Sequence, residues 1–79
     1  MVDIHTSNNV FKTTGSTSDW KTALDNADDF IHIDAYYLHH KPESWSTFEV
    51  VININSIDYI LNDCLYKDDE VLKSIEENK

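Results

Sequence analysis

Five side chains of this 79-residue chain offer a nitrogen or sulfur ligand to a metal: His5, His32, His39, His40 and Cys64. Zinc takes such ligands at short fixed spacings, as paired cysteines or as histidines one helical turn apart. Neither spacing occurs here. His39 and His40 are adjacent in a stretch that reads as a strand, so they point to opposite faces. His32, Asp34 and His40 do fall on one face of that strand, and a small metal-dependent enzyme is therefore kept as a third-ranked reading. Cys64 lies among apolar residues at helical spacing and is expected to be a small buried hydrophobe. The serines cluster in loops, with no strand-Ser-helix elbow. There is no glycine-rich phosphate loop and no dinucleotide fingerprint. The expectation is a protein without catalytic residues, without a cofactor and without a metal site.

The carboxylates are the other chemistry. Fifteen Asp and Glu stand against six basic residues, all lysine, and the formal net charge is −9. A chain with no guanidinium lacks the group that grips phosphates and base edges best. Direct binding to nucleic acid or to an anionic membrane is excluded on that ground. The acids are spread along the whole chain. Six accompany two lysines in residues 1–40, and nine accompany four in residues 41–79. Apolar residues make up 41% of the chain, which is enough for a core, so the charge does not imply disorder. Self-repulsion among the acids lowers the stability of so small a fold. The plainest reading of the excess is solubility; the alternative is a basic partner.

The elements that must position these groups follow from periodicity. Val2, Ile4 and Thr6 alternate with Asp3 and His5, as in a short strand, and Val10-Phe11 starts another. Gly15 sits in a polar linker. Thr17 or Ser18 is expected to cap a helix carrying Trp20, Ala23, Leu24 and Ala27 on one stripe. Phe30–His40 is the clearest strand, with Ile31, Ile33, Ala35, Tyr37 and His39 as its core face and Tyr36 and Leu38 on the other. A loop over 41–46 containing Pro42 and Trp45 leads to a second strand from Phe48 to Ile54, and a connection this short makes an antiparallel hairpin. Ser56 is expected to cap a helix whose apolar arc runs through Ile57, Ile60, Leu61, Cys64 and Leu65 and on to Val71, Leu72 and Ile75. Asp68 falls in the middle of that arc, where a carboxylate is costly. A break at Lys67-Asp68 is inferred, with Asp68 capping a last short helix. The expected fold is one α+β domain over 1–79, a small antiparallel sheet with helices on one face, in the order β(β)-α-β-β-α-α. The lone cysteine, the absence of a basic and apolar leader and the absence of a long apolar run point to the cytoplasm.

On this reading the outward side of the C-terminal helix carries Tyr59 and Tyr66 two turns apart, with Asp63, Glu70 and Glu77 beside them and Asp58 and Asp69 on the same element. Asp28 and Asp29 add an acidic pair ahead of the central strand, and Tyr36 an outward aromatic. Tyrosines set between carboxylates suit a basic binding surface. Carboxylates at regular spacing can also replace a row of phosphates in a cationic groove, driven by the same counterion release. The leading expectation is a small acidic inhibitor that mimics nucleic acid and blocks the DNA- or RNA-binding groove of a nuclease or defence enzyme. In size, charge and expected architecture it is similar to phage-encoded anti-CRISPR and anti-restriction inhibitors as a general class. The alternatives are an immunity or antitoxin protein that neutralises a cationic toxin, and an acidic adaptor subunit. The partner is expected to be a basic protein, and the chain a monomer or homodimer.

Overall fold

The computed structural model describes residues 1–77. Five strands and two helices follow one another as β1 (Val2–Thr6), β2 (Val10–Thr13), α1 (Thr17–Asn26), β3 (Phe30–His40), β4 (Glu43–Asn53), a 3₁₀ turn (Ile54–Ser56), β5 (Ile57–Asn62) and α2 (Asp68–Glu77). The chain is thus α+β, with one antiparallel sheet in the order β4-β3-β2-β1-β5. No described helix is long and apolar enough to cross a membrane.

The expected loop over 41–46 is a two-residue turn, Lys41-Pro42, with a cis peptide bond, and β4 pairs with β3 from Glu43 onward. Where a helix is expected from Ile57 to Leu65, Ile57–Asn62 is instead strand β5, which pairs with the free side of β1, and residues 63–65 belong to the connection to α2. The apolar residues of β5 mimic a helical period because of a bulge. Ile60 lies opposite Ile4 and Ile57 opposite Thr6, so three steps on β5 span two on β1. The extra residue lets Ile57 and Ile60, three apart, pack on the same cluster.

Local signals account for α1. Ser16, one residue ahead of the expected caps, accepts from the Asp19 N–H, and the Asp19 carboxylate accepts from the Ser16 N–H. This reciprocal box satisfies two N-terminal donors. Gly15 precedes it with φ at +101°, a conformation that favours glycine. The Trp20 indole N–H closes the turn onto the Thr14 carbonyl at 2.8 Å.

Packing divides between the two sheet faces. Ile4, Ile33 and Ala35 form one buried cluster, covered by Trp20 of α1 and by Phe11, Val50, Ile52, Ile57 and Ile60. Residues from both edge strands therefore meet the same cluster. The connection explains this. Three residues link β4 to β5, a reach of about 13 Å, whereas the outer strands of a flat five-stranded sheet lie about 19 Å apart. The sheet must coil around the Ile4 cluster.

Met1, Trp45 and Val71 form the second cluster, with Tyr36, Leu38, Tyr66 and Ile75 against it. Tyr36 and Leu38 alternate with Ala35 and Tyr37 along β3, so this cluster lies on the opposite, convex face. The helices accordingly pack on opposite faces, not on one. Trp45, expected in a loop, is buried under α2, and its N–H donates to the Ser74 hydroxyl at 3.4 Å.

Candidate functional site

The break at Lys67-Asp68 is where α2 begins, with the Lys67 carbonyl accepting from the Glu70 and Val71 N–H groups. Asp68 is not that helix's cap. Its carboxylate meets the Met1 ammonium at 2.7 Å and accepts from the Gly15 N–H at 3.0 Å. Burial works to raise its pKa, and these bonds outweigh burial and hold it below the usual carboxylate range. The acid that looked misplaced ties β1, the β2–α1 turn and α2 together.

Asp63 also proves to be internal. It is 9% exposed, and its carboxylate pairs with the Lys12 ammonium and accepts from the Leu65 N–H at 2.9 Å. Lys12 Nζ also bonds Asp3 at 3.0 Å and lies 5.9 Å from the centre of the Tyr66 ring. Asp63 therefore has no part in an outward row. Nor do the tyrosines form one. Tyr66 lies between β5 and α2 and meets Trp45 edge-on at 5.0 Å. Tyr59 is exposed on β5, stacked on His5 at 4.3 Å. Tyr36 is half-buried, packed against the Met1, Trp45 and Val71 cluster. Tyr37 and His39, expected in the core, are exposed.

Cys64 is exposed too, not buried. Ellman's reagent should react with one thiol per native chain without a slow unfolding phase. Protection of that thiol until denaturant is added would contradict the placement. Among the described residues no group of three or more His, Cys, Asp or Glu is arranged to hold a metal ion. His32, Asp34 and His40 lie on one face of β3 as expected but do not converge.

Twelve of the fifteen acids remain exposed. Lys12 is spent inside the fold and Lys21 pairs with Asp25 at 3.1 Å on α1. Expected site residues Asp69, Glu70 and Glu77 are exposed on α2, whose buried side carries Val71. Asp58 is exposed at the bulge of β5. Asp28 and Asp29 are exposed ahead of β3, where the Asp29 carbonyl holds the Ile54 N–H at 2.9 Å.

Sequence reasoning missed the surface beside that pair. On the convex face of the β3–β4 hairpin, Asp34 lies directly opposite Glu49. Both are exposed. Like charges placed directly opposite destabilise a sheet. His32 Nδ1 lies 3.4 Å from Glu49, an ion pair only when the imidazole is protonated. Phe30 and Val51 share this face and are 61% and 50% exposed. Strand pairing was the missing information, since Asp34 and Glu49 are fifteen residues apart in sequence and the register alone makes them neighbours.

A cleft of about 340 Å³ opens at the other end of β3. β2 and β3 are joined by a single ladder pair, Lys12 with Tyr36. Next to it the buried Thr13 hydroxyl donates to the Asp34 carbonyl at 2.7 Å in place of a further ladder bond. On the other side of that pair the strands part, and residues of both sheet faces line one space: Val10, Tyr36 and Leu38 from the convex side, Phe11, Tyr37 and Phe48 from the concave side.

Compared with models of protein families, with curated proteins and with solved structures, the chain matches none, so the chemistry of these two surfaces is read from its own residues.

Proposed function

We propose that this protein is a small acidic inhibitor that binds a basic protein partner and occupies the groove in which that partner holds nucleic acid, in the manner of phage anti-CRISPR and anti-restriction inhibitors. The observation that carries the reading is the Asp34–Glu49 pair. A protein selected only to be soluble gains nothing from two carboxylates directly opposite on an exposed sheet face. A cationic partner removes the repulsion between them, so the penalty in the free protein becomes affinity in the complex. Phe30 and Val51 beside the pair supply apolar contact, and Asp28 and Asp29 continue the acidic field. An exposed apolar patch rimmed by charge is a frequent mark of a protein interface.

Mimicry has a direct assay. DNA-cellulose is charged with a cell lysate and then developed with the purified protein. A mimic elutes a discrete set of DNA-binding polypeptides at low salt and progressively fewer as salt rises, because acidic protein and DNA compete for the same cationic surface. Elution no better than with an equal concentration of an unrelated protein of similar charge would sink the proposal.

A further inference from the structure

From the cleft between β2 and β3 we infer a binding site for a single arginine side chain of the basic partner. The inference rests on the acidic-inhibitor reading for the partner's charge, and on the cleft's own chemistry for the choice of side chain.

A space of about 340 Å³ is at the small end for a ligand pocket and suits one long side chain. It lies between two parting strands, so it is a slot. A planar guanidinium enters a slot and stacks on the rings beside it, whereas a hydrated ammonium is a compact charge that does neither. The rings are in place. Phe11, Tyr37 and Phe48 line the concave side and Tyr36 the convex side, with Val10 and Leu38 for the apolar stem. Tyr37 and Phe48 are about half exposed, although both are large apolar residues on the same sheet face as the buried Ile33 and Ala35. Aromatic faces attract cations through the ring quadrupole.

One cation already borders the cleft, and it does not oppose a second. Lys12 is held by two carboxylates, Asp3 and Asp63, so the three groups together carry an excess of negative charge. Lys12 Nζ also lies 5.9 Å from the Tyr66 ring centre, so the fold itself sets a cation against one of the rings of this cleft. With a net charge of −9 around it, the site favours a positive ligand over a neutral one of the same shape.

The test is an NMR titration of the isotope-labelled protein with N-acetyl-arginine methylamide, beside the matching citrulline and norleucine compounds. Saturable shifts should centre on Phe11, Tyr37 and Phe48, and citrulline, which has the shape without the charge, should bind about tenfold more weakly. Phe48→Ala should abolish the arginine shifts while leaving the rest of the spectrum native, since its side chain belongs to neither buried cluster. Shifts that do not saturate, or equal binding of citrulline or norleucine, would overturn the site. The two readings fail separately. If Phe48→Ala loses arginine yet elutes polypeptides from DNA-cellulose as well as wild type, the cleft plays no part in capture and the acidic face stands alone. If wild type binds arginine but elutes nothing, the inhibitor reading falls and the cleft remains an arginine site.

Discussion

Replacing Lys12 with methionine should destabilise the protein by about 2–3 kcal/mol. Methionine fills similar volume, so the loss is electrostatic. It leaves the Asp63 carboxylate, 9% exposed, without its ammonium. Removing one partner of a buried pair is costlier than the pair is worth, because the remaining charge stays buried and uncompensated. The figure lies below that for a fully buried pair because Lys12 itself reaches water over part of its side chain. For a domain of this size the thermal midpoint should fall by more than about 10 °C. Adding Asp63→Asn to Lys12→Met should recover part of that loss, since the orphaned charge is then gone. Equal midpoints for Lys12→Met and wild type would contradict the role given to this network.

The same network sets the pH range of stability. Burial raises the Asp63 pKa, but the bonds from Lys12 and from the Leu65 N–H, with the nearby positive charges, bring it below the usual carboxylate range. A depressed carboxylate contributes stability above its unfolded value, about pH 4, and that stability is lost as pH falls through the folded value. For Lys12, burial lowers the pKa, and the bonds to Asp63 and Asp3 more than reverse it, so the folded value is raised. A raised lysine contributes below its unfolded value, about pH 10, and the contribution is lost as pH climbs through the folded value. Thermal midpoints should therefore be level between these limits and fall on both sides. In Lys12→Met the alkaline arm attributable to Lys12 should vanish and the acid arm should become shallower.

Much of the fold could be read from residue order. Phe30–His40 alternates cleanly and is a strand, Trp20, Ala23 and Leu24 keep helical spacing behind a capping serine, and Asp68 marks the start of the last helix. The failures share a physical cause, which is pairing between distant segments. Ile57 and Ile60 have the spacing of a helix, yet β1 offered an open edge and a single bulge let both side chains turn inward. Once that segment is a strand, Tyr59 and Tyr66 no longer share a face, and Asp63 turns in toward Lys12. The site followed the same rule. Asp28, Asp29, Asp69, Glu70 and Glu77 are exposed as their local pattern implied. The Asp34–Glu49 pair exists only through the β3–β4 register, and no local pattern contains it.

That pair leads to the prediction with the largest effect on binding. Glu49→Lys places an ammonium opposite Asp34 and turns a repulsive cross-strand pair into an attractive one. Measured with the His32 imidazole neutral, so that no ion pair to Glu49 is lost, the fold should gain about 0.5–1 kcal/mol, and a lysine on the edge strand β4 also guards against edge-to-edge association. Against a basic partner the same lysine meets like charge. Displacement of polypeptides from DNA-cellulose should then need about 100-fold more protein. Few substitutions are expected to improve a fold while removing its activity. A residue kept at a cost to stability is one whose benefit lies in the complex.

The most direct test of the acidic-inhibitor reading is therefore a paired measurement on Glu49→Lys: its thermal midpoint, and its capacity to elute DNA-binding polypeptides from DNA-cellulose at low salt. The expected result is a midpoint above wild type together with lost elution. A midpoint above wild type with elution unchanged would contradict it, because the Asp34–Glu49 face would then be an electrostatic cost without a partner.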